Sequence, residues 1–499
     1  MLNYKEVIKE KLTGWKGAMQ DYQCMVKPCL ILFAVYAIGI IAIIRANFNY
    51  RDDVRRVLFG SKGWKGYGRY LSDFLSSFIH IDDYLRDVSP LTQLIAVFFV
   101  ALAAVIVWYV VSEKTKFSVW DVAALIPLGL SPYFLGCISY KYDAPYMALS
   151  VLASVIPLLL CKSGYFKYFI AAFLGTLAVC TTYQASSGIF PMLVILICIK
   201  WWNEKEENQK IVTFLGFSIV AYFLGLVIFK VFLMPQRDTY VSNSLPSVKE
   251  LFPVIFSNLK RYFSLVIRDF KTEWLICVFL LCIAFVFVLV RDSKQKKYLS
   301  FFLSALALFV MLALAFGMYP VLSKPLFQVR AMYGFGVFIA FIGITVSTAK
   351  KTYSAKLVCM VLGWYFFVFS FIYGNALKVQ AEYRDFRAME VVNDLKDLDI
   401  MMSGEKVKIQ MNGTIAYAPA IRKMPTDFNM VKRLVPIPSK DKWNVWMVSI
   451  FRYYDLKKVV WNQPYRSKVD FKTYDLPVLK DTIYHTIRGK DNCILIEMK

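Results

Sequence analysis

Histidine is nearly missing from this 499-residue chain, which has only His80 and His485, far apart in sequence. A metal site built on paired imidazoles is therefore not expected. The 10 cysteines lie almost all in or beside apolar runs, with Cys493 alone in the C-terminal part. Their spacing offers no CxxC pair and no disulfide framework. Charged residues make up only 19% of the chain. Inside the long apolar runs they are almost absent, with Asp121 near the end of one run and Lys230 near the end of another. A charge at a helix centre costs about 3 kcal/mol on insertion scales, so proton- and ion-coupled carriers keep such residues for function. Their scarcity argues against a transporter. No Gly-rich phosphate loop, internal repeat or low-complexity tract is evident. The first residues are polar, so no cleavable signal peptide is expected, and the first apolar run would act as an uncleaved anchor.

Apolar sequence is plentiful instead: 58% of residues are hydrophobic and 17% aromatic, and the mean hydropathy is +0.50. Runs at 28–46, 91–111, 119–138, 211–234, 274–290, 299–318, 332–348 and 357–377 are each long enough to cross a bilayer. The stretch 144–199 divides into three shorter spans, cut at 162–167 and 181–187. The expected fold class is an α-helical polytopic membrane protein of about eleven transmembrane helices. Residues 1–27 form a cytoplasmic segment, 28–377 the membrane module, and 378–499 a small C-terminal α+β domain. In that domain EKVKIQMNG and VKRLVPIP read as strand and loop, WNVWMVSIFRYYDL as a helix, and TIYHTIRGKDNCILIEM as a hairpin. The net charge of +24 would suggest nucleic acid in a soluble protein. Here it fits lysines retained on cytoplasmic loops and basic residues near lipid phosphates, and no nucleic-acid partner is expected.

Loop charges assign the faces. Lysines recur in the N-terminal segment and in alternate short loops, at Lys114 and Lys116, Lys162 and Lys167, Lys200 to Lys210, Lys294 to Lys297, and Lys350 to Lys356. The intervening loops are poor in them. The N-terminus is then cytoplasmic, and the outer face receives loops 47–89 and 235–271 and the C-terminal domain. Each of those outer loops contains an amphipathic helix, around 67–80 and 251–267, suited either to the bilayer surface or to packing against the bundle.

The candidate chemistry lies on these outer loops. In NFNYRDDVRRV, Asp52 and Asp53 are flanked by arginines including Arg55. Adjacent residues point apart, so one of the two would enter a site. A carboxylate there can take the proton from an attacking sugar hydroxyl, worth roughly 10²–10⁴-fold in rate. The bland alternative is a solvated charge cluster that orients the first helix. The tight turn SYKYDAPY places Tyr140, Lys141, Tyr142 and Asp143 over the bundle's mouth, and TTYQASS adds Tyr183 and Gln184 at the same level. Arg330 begins a membrane helix from outside, and with Arg55 and Arg237 it suits a phosphate by charge and bidentate hydrogen bonding. Snorkelling to lipid headgroups is the alternative. A base for the acceptor, arginines for a leaving phosphate and a cavity open to lipid suggest glycosyl transfer. No cytoplasmic domain is large enough for a nucleotide sugar, so the donor should be a lipid-phosphate-linked sugar. The acidic pair could hold Mg²⁺ through one carboxylate, but no cofactor, and no obligatory metal, is expected.

Several stretches resemble the polytopic type-II O-antigen glucosyltransferases, the serotype-converting enzymes of bacteria and their phages. They are YRDDVRRVLFGSKGWKGYGRYLSDFL, ISYKYDAPYMALSVLASVIPLLL, TTYQASSGIFPML and QVRAMYGFGVF, within roughly residues 28–375. The resemblance implies a GT-C-type glycosyltransferase of the bacterial inner membrane. It implies transfer of glucose from undecaprenyl-phosphate-glucose to a lipid-linked or polymeric O-antigen, alongside a flippase and a separate enzyme that charges the lipid. It also implies an acidic base in the first outer loop, Asp52 or Asp53, and a substrate-binding role for Tyr142 and Asp143. The C-terminal domain shows no such likeness. A surface-polysaccharide polymerase, a flippase for lipid-linked sugars and a scaffold without chemistry are the other readings.

Overall fold

The computed structural model describes residues 23–112, 116–235, 245–437, 445–456 and 458–499; the N-terminal segment before Gln23, Lys114 and Arg237 lie outside them. Each expected apolar run is helical. Among the described residues, seven helices are long and apolar enough to cross a membrane: Leu91–Ser112, Tyr165–Thr182, Gln184–Asn203, Asn208–Leu233, Thr272–Asp292, Lys297–Leu314 and Tyr353–Lys396. An eighth span arises if Val119–Leu130 and Pro132–Ile138 are counted together across a 56° bend. Pro127 inside the first piece and Pro132 at the start of the second explain the break, since neither residue can donate a backbone hydrogen bond. Three further apolar helices, Gln23–Gly39, Ala144–Leu160 and Gly334–Thr348, are shorter. The expected eleven crossings would need all of these to traverse the bilayer. At 15 residues, Gly334–Thr348 is about 22 Å long, short of the 30 Å hydrocarbon layer. Its residues from Gly334 to Ser347 are buried in the bundle, so protein rather than lipid surrounds it.

The loops sort to two ends. At one, Lys200 Nζ donates to the Val111 carbonyl, Ser300 Oγ to Asn203 at 2.6 Å, and Ser347 Oγ to Asp121 at 2.8 Å. At the other, the first outer loop, the Tyr140–Asp143 turn, Tyr183, Arg330 and the C-terminal domain meet.

Both amphipathic helices form, as Tyr70–Ile79 and Leu251–Asp269. In the first, Ser72, Asp73 and Ser76 are buried while Phe74 and Phe78 are 60% and 70% exposed. In the second, Phe252 and Phe256 are 80% and 73% exposed. Large phenylalanines thus face away from the protein, the arrangement that suits a lipid surface.

The 44-residue helix Tyr353–Lys396 runs on without a break into the C-terminal domain. There β1 (Val407–Asn412), β2 (Val459–Asn462), β3 (Val478–Asp481), β4 (His485–Lys490) and β5 (Cys493–Met498) form one sheet in the order β2-β1-β5-β4-β3. β1 is parallel to β2 and β5, and β4 pairs with β5 as the expected hairpin. Val407, Ile409, Ile494 and Ile496 pack with Ala388, Val391 and Leu395 of the long helix, and Val54 joins them from the outer loop. VKRLVPIP, expected as strand and loop, instead begins within the helix Asn429–Leu434. Met430, Val431 and Leu434 share a helical face, and burying them in the bundle core decides the conformation.

Candidate active site

Asp52 and Asp53 open the short helix Asp53–Phe59 and have opposite environments. Asp53 is fully buried. Its Oδ2 accepts backbone N–H bonds from Tyr50 at 3.2 Å and from Lys141 at 3.0 Å, so it ties the outer loop to the Tyr140–Asp143 turn. Its Oδ1 has no hydrogen-bond partner among the described residues. Burial pushes the carboxyl up to about 8, against the pull of Arg56 and Lys141 and with the push of Asp143. Burial thus favours the protonated form of Asp53.

Asp52 has a side chain 45% exposed, with Oδ2 3.8 Å from Arg330 Nη1. That distance is an ion pair without a hydrogen bond, and the carboxylate stays open to solvent. Arg330 sits in a short turn, Val329–Ala331, just ahead of Gly334–Thr348. Its guanidinium lies over the Tyr140 ring, 4.9 Å from the centroid. Its carbonyl accepts from Tyr183 Oη at 3.1 Å.

Behind this open pair lies a sealed one. Asp143 accepts from both Nη atoms of Arg56, the second at 3.2 Å, and from Trp64 Nε1 at 2.6 Å. Arg56 also covers the Trp64 ring at 4.7 Å. Burial alone would raise the Asp143 carboxyl, but Arg56 and the Trp64 hydrogen bond outweigh it and hold it below the usual carboxylate range.

The other expected residues cluster around these two pairs. Lys141 Nζ bridges Asn49 at 3.0 Å and Asp87 at 3.1 Å. The Tyr140 ring meets Tyr50 edge-on at 4.8 Å, and Tyr142 stacks on His80 at 5.7 Å. Tyr183 carries the Arg69 guanidinium at 4.6 Å. Gln184 Nε2 donates to the Tyr67 carbonyl at 3.1 Å. Tyr140, Lys141, Tyr142, Asp143 and Tyr183 are all buried and engaged with other protein groups, whereas Arg55 is exposed, one turn along the helix from Asp52.

Sequence reasoning missed a third cluster. Arg433 of the C-terminal domain pairs with buried Asp269, which also accepts from Tyr133 Oη at 3.0 Å. A second Arg433 nitrogen donates to the Phe327 carbonyl at 2.6 Å. The ion-paired residues are 164 positions apart, and nothing in local spacing links them. Among the described residues, no group of three or more His, Cys, Asp or Glu is placed to hold a metal ion.

No solved structure matches the chain. A protein of Salmonella phage P22, described as an uncharacterized 55.3 kDa protein in the gtrB 5' region, is 25% identical over 466 residues, 87% of this chain and 92% of that one. The model of the family Glucosyl transferase GtrII matches residues 41–341, which include Asp52, Asp53, Asp143 and Arg330. The match spans more than half of the chain, and the protein belongs to this glucosyl transferase family.

Proposed function

We propose that the protein moves glucose from a polyprenyl-phosphate donor, on the outer face of the inner membrane, to an O-antigen or related surface polysaccharide. Asp52 removes the proton from the acceptor hydroxyl as that oxygen attacks the anomeric carbon. The bond to the lipid phosphate breaks, and Arg330 receives the developing negative charge. Attack opposite the departing phosphate inverts the anomeric centre. Asp53 and the Asp143–Arg56 pair fix the loop that aims Asp52. The observation that carries the reading is the half-exposed Asp52 carboxylate beside Arg330, at the end of the bundle where the outer loops converge. A base and a phosphate-binding cation side by side are what displacement of a phosphate by a hydroxyl needs.

The test uses full-length protein in lipid nanodiscs with undecaprenyl-phosphate-[³H]glucose and delipidated O-polysaccharide. Label should enter the polysaccharide, and linkage analysis should find one added hexose per repeat with inverted configuration. Label from UDP-glucose without the lipid would overturn the donor assignment. Longer chains without added hexose would point to the polymerase reading.

A further inference from the structure

The C-terminal sheet has two unlike faces. Val407, Ile409, Ile494 and Ile496 point to the domain core. On the other face, Phe471 and Leu476 cover Leu495 and Cys493, but only part of the surface. Lys408, aligned with Val460 on one side and Cys493 on the other, lies at the uncovered end. A cleft of ≈ 500 Å³ opens there, lined by Lys408, Val460, Asn462, Tyr474 and Arg452 among others. Its volume falls in the range of ligand sites, about 300–1,000 Å³.

The wall of the cleft is fixed in place. Buried Gln410 donates to Asp470 at 2.6 Å and accepts from the Phe471 backbone N–H and from Asn462 Nδ2, both at 2.9 Å. This network fastens the segment carrying Tyr474 onto the sheet. Phe471 packs beneath Tyr474, with ring centroids 5.3 Å apart. Apolar side chains nevertheless remain open: Tyr474 is 46% exposed and Val460 47%. Among the described residues, the lining holds two cations, Lys408 and Arg452, and no carboxylate. An aromatic ring, an apolar floor, an amide and cationic donors together match a saccharide, which presents C–H faces and hydroxyl or acidic oxygens.

The cleft also reaches the helix that Asp52 opens. The Arg452 guanidinium lies 5.9 Å from the Phe59 ring centroid. Phe59 ends the helix that begins beside Asp52. Seven residues of helix separate the two points by about 10 Å.

We propose that this cleft binds a segment of the acceptor glycan and holds the chain while a neighbouring sugar reaches Asp52. The inference rests on the transferase reading above and names where its acceptor is gripped. It places Tyr474 and Lys408 in acceptor binding, away from the reacting atoms.

The experiment measures binding and turnover separately on the full-length protein in nanodiscs. The probe is O-polysaccharide released from host lipopolysaccharide by mild acid, titrated calorimetrically without donor. Wild type should bind it, and Tyr474→Ala and Lys408→Ala should each weaken Kd about tenfold, the size expected for one central contact. In turnover, the acceptor KM should rise by a similar factor, with the donor KM and kcat unchanged. Lys408 is exposed, so its variant keeps the test valid if Tyr474→Ala melts early. No binding by wild type, or wild-type affinity in Lys408→Ala, overturns the cleft. Binding that the variants weaken, with no glucose transferred by wild type, keeps the cleft and overturns the transferase reading instead.

Discussion

Two carboxylate–arginine pairs lie at the same end of the bundle and differ in almost every respect. Asp143 and Arg56 have side chains 4% and 9% exposed and meet through two hydrogen bonds, with Trp64 supplying a third. Asp52 and Arg330 are 45% and 11% exposed and stand 3.8 Å apart with no hydrogen bond between them. The first pair has all the marks of a structural clamp: desolvated, bidentate and closed to solvent. The second has the marks of a reactive centre, since its carboxylate is open to an incoming group and its arginine is aimed by Tyr140 and Tyr183. Residue type alone does not separate the two roles; burial and hydrogen-bond geometry do.

The comparison breaks most visibly if the two acids are exchanged in role. Asp52→Asn should lower glucose transfer by roughly 10²–10⁴-fold, the usual worth of a general base. Its thermal midpoint in detergent should stay near that of wild type, because the residue is half exposed. Asp143→Ala should do the reverse. Stranding Arg56 as an unpaired buried charge costs about 3–5 kcal/mol, read as early melting or loss of the monodisperse peak on gel filtration. If Asp52→Asn melts early, or if Asp143→Ala folds normally but is inactive, the assignment of clamp and catalyst must be reversed.

The sequence made the helices legible because composition suffices for them: an apolar run in lipid has little choice but helix. It did not reveal which helices are wrapped by protein, as Gly334–Thr348 is, because a buried span and a lipid-facing span have the same composition. The helix Asn429–Leu434 was illegible for another reason. Its six residues hold too little periodic signal, and contacts with the distant bundle decide its form. At the site, the charged positions were visible but their partners were not. Arg56 and Asp143 are 87 residues apart, and Asp52 and Asp53 differ in a burial that adjacent residues in one motif cannot display.

The buried members can be separated further by pH. The Asp53 carboxyl is raised from 3.8 to about 8 in the folded chain. Between those values the folded state keeps a proton that the unfolded state has lost, so this group makes stability fall as pH rises through that window. The slope is at most about 1.4 kcal/mol per pH unit. Asp143 is lowered instead, so its contribution is kept at neutral pH and lost only in acid. The midpoint of wild type should therefore drop between pH 5 and pH 8 by more than that of Asp53→Asn. An equal drop in the two proteins would mean that Asp53 is ionised and solvated, not a protonated pin.

The smallest effect is expected at Arg55, and it tests whether burial is the right criterion. Arg55 and Arg56 are neighbours of identical charge, yet one is exposed and the other sits over Trp64. Arg55→Ala should change stability by no more than about 0.5 kcal/mol, as for an ordinary surface substitution. It should leave the donor KM unchanged, because the phosphate is assigned to Arg330. A rise in donor KM with unchanged kcat would show that Arg55 meets the lipid phosphate once donor is bound. The open Asp52–Arg330 pair would then be only one part of a wider anion site that extends along the helix to its i+3 neighbour.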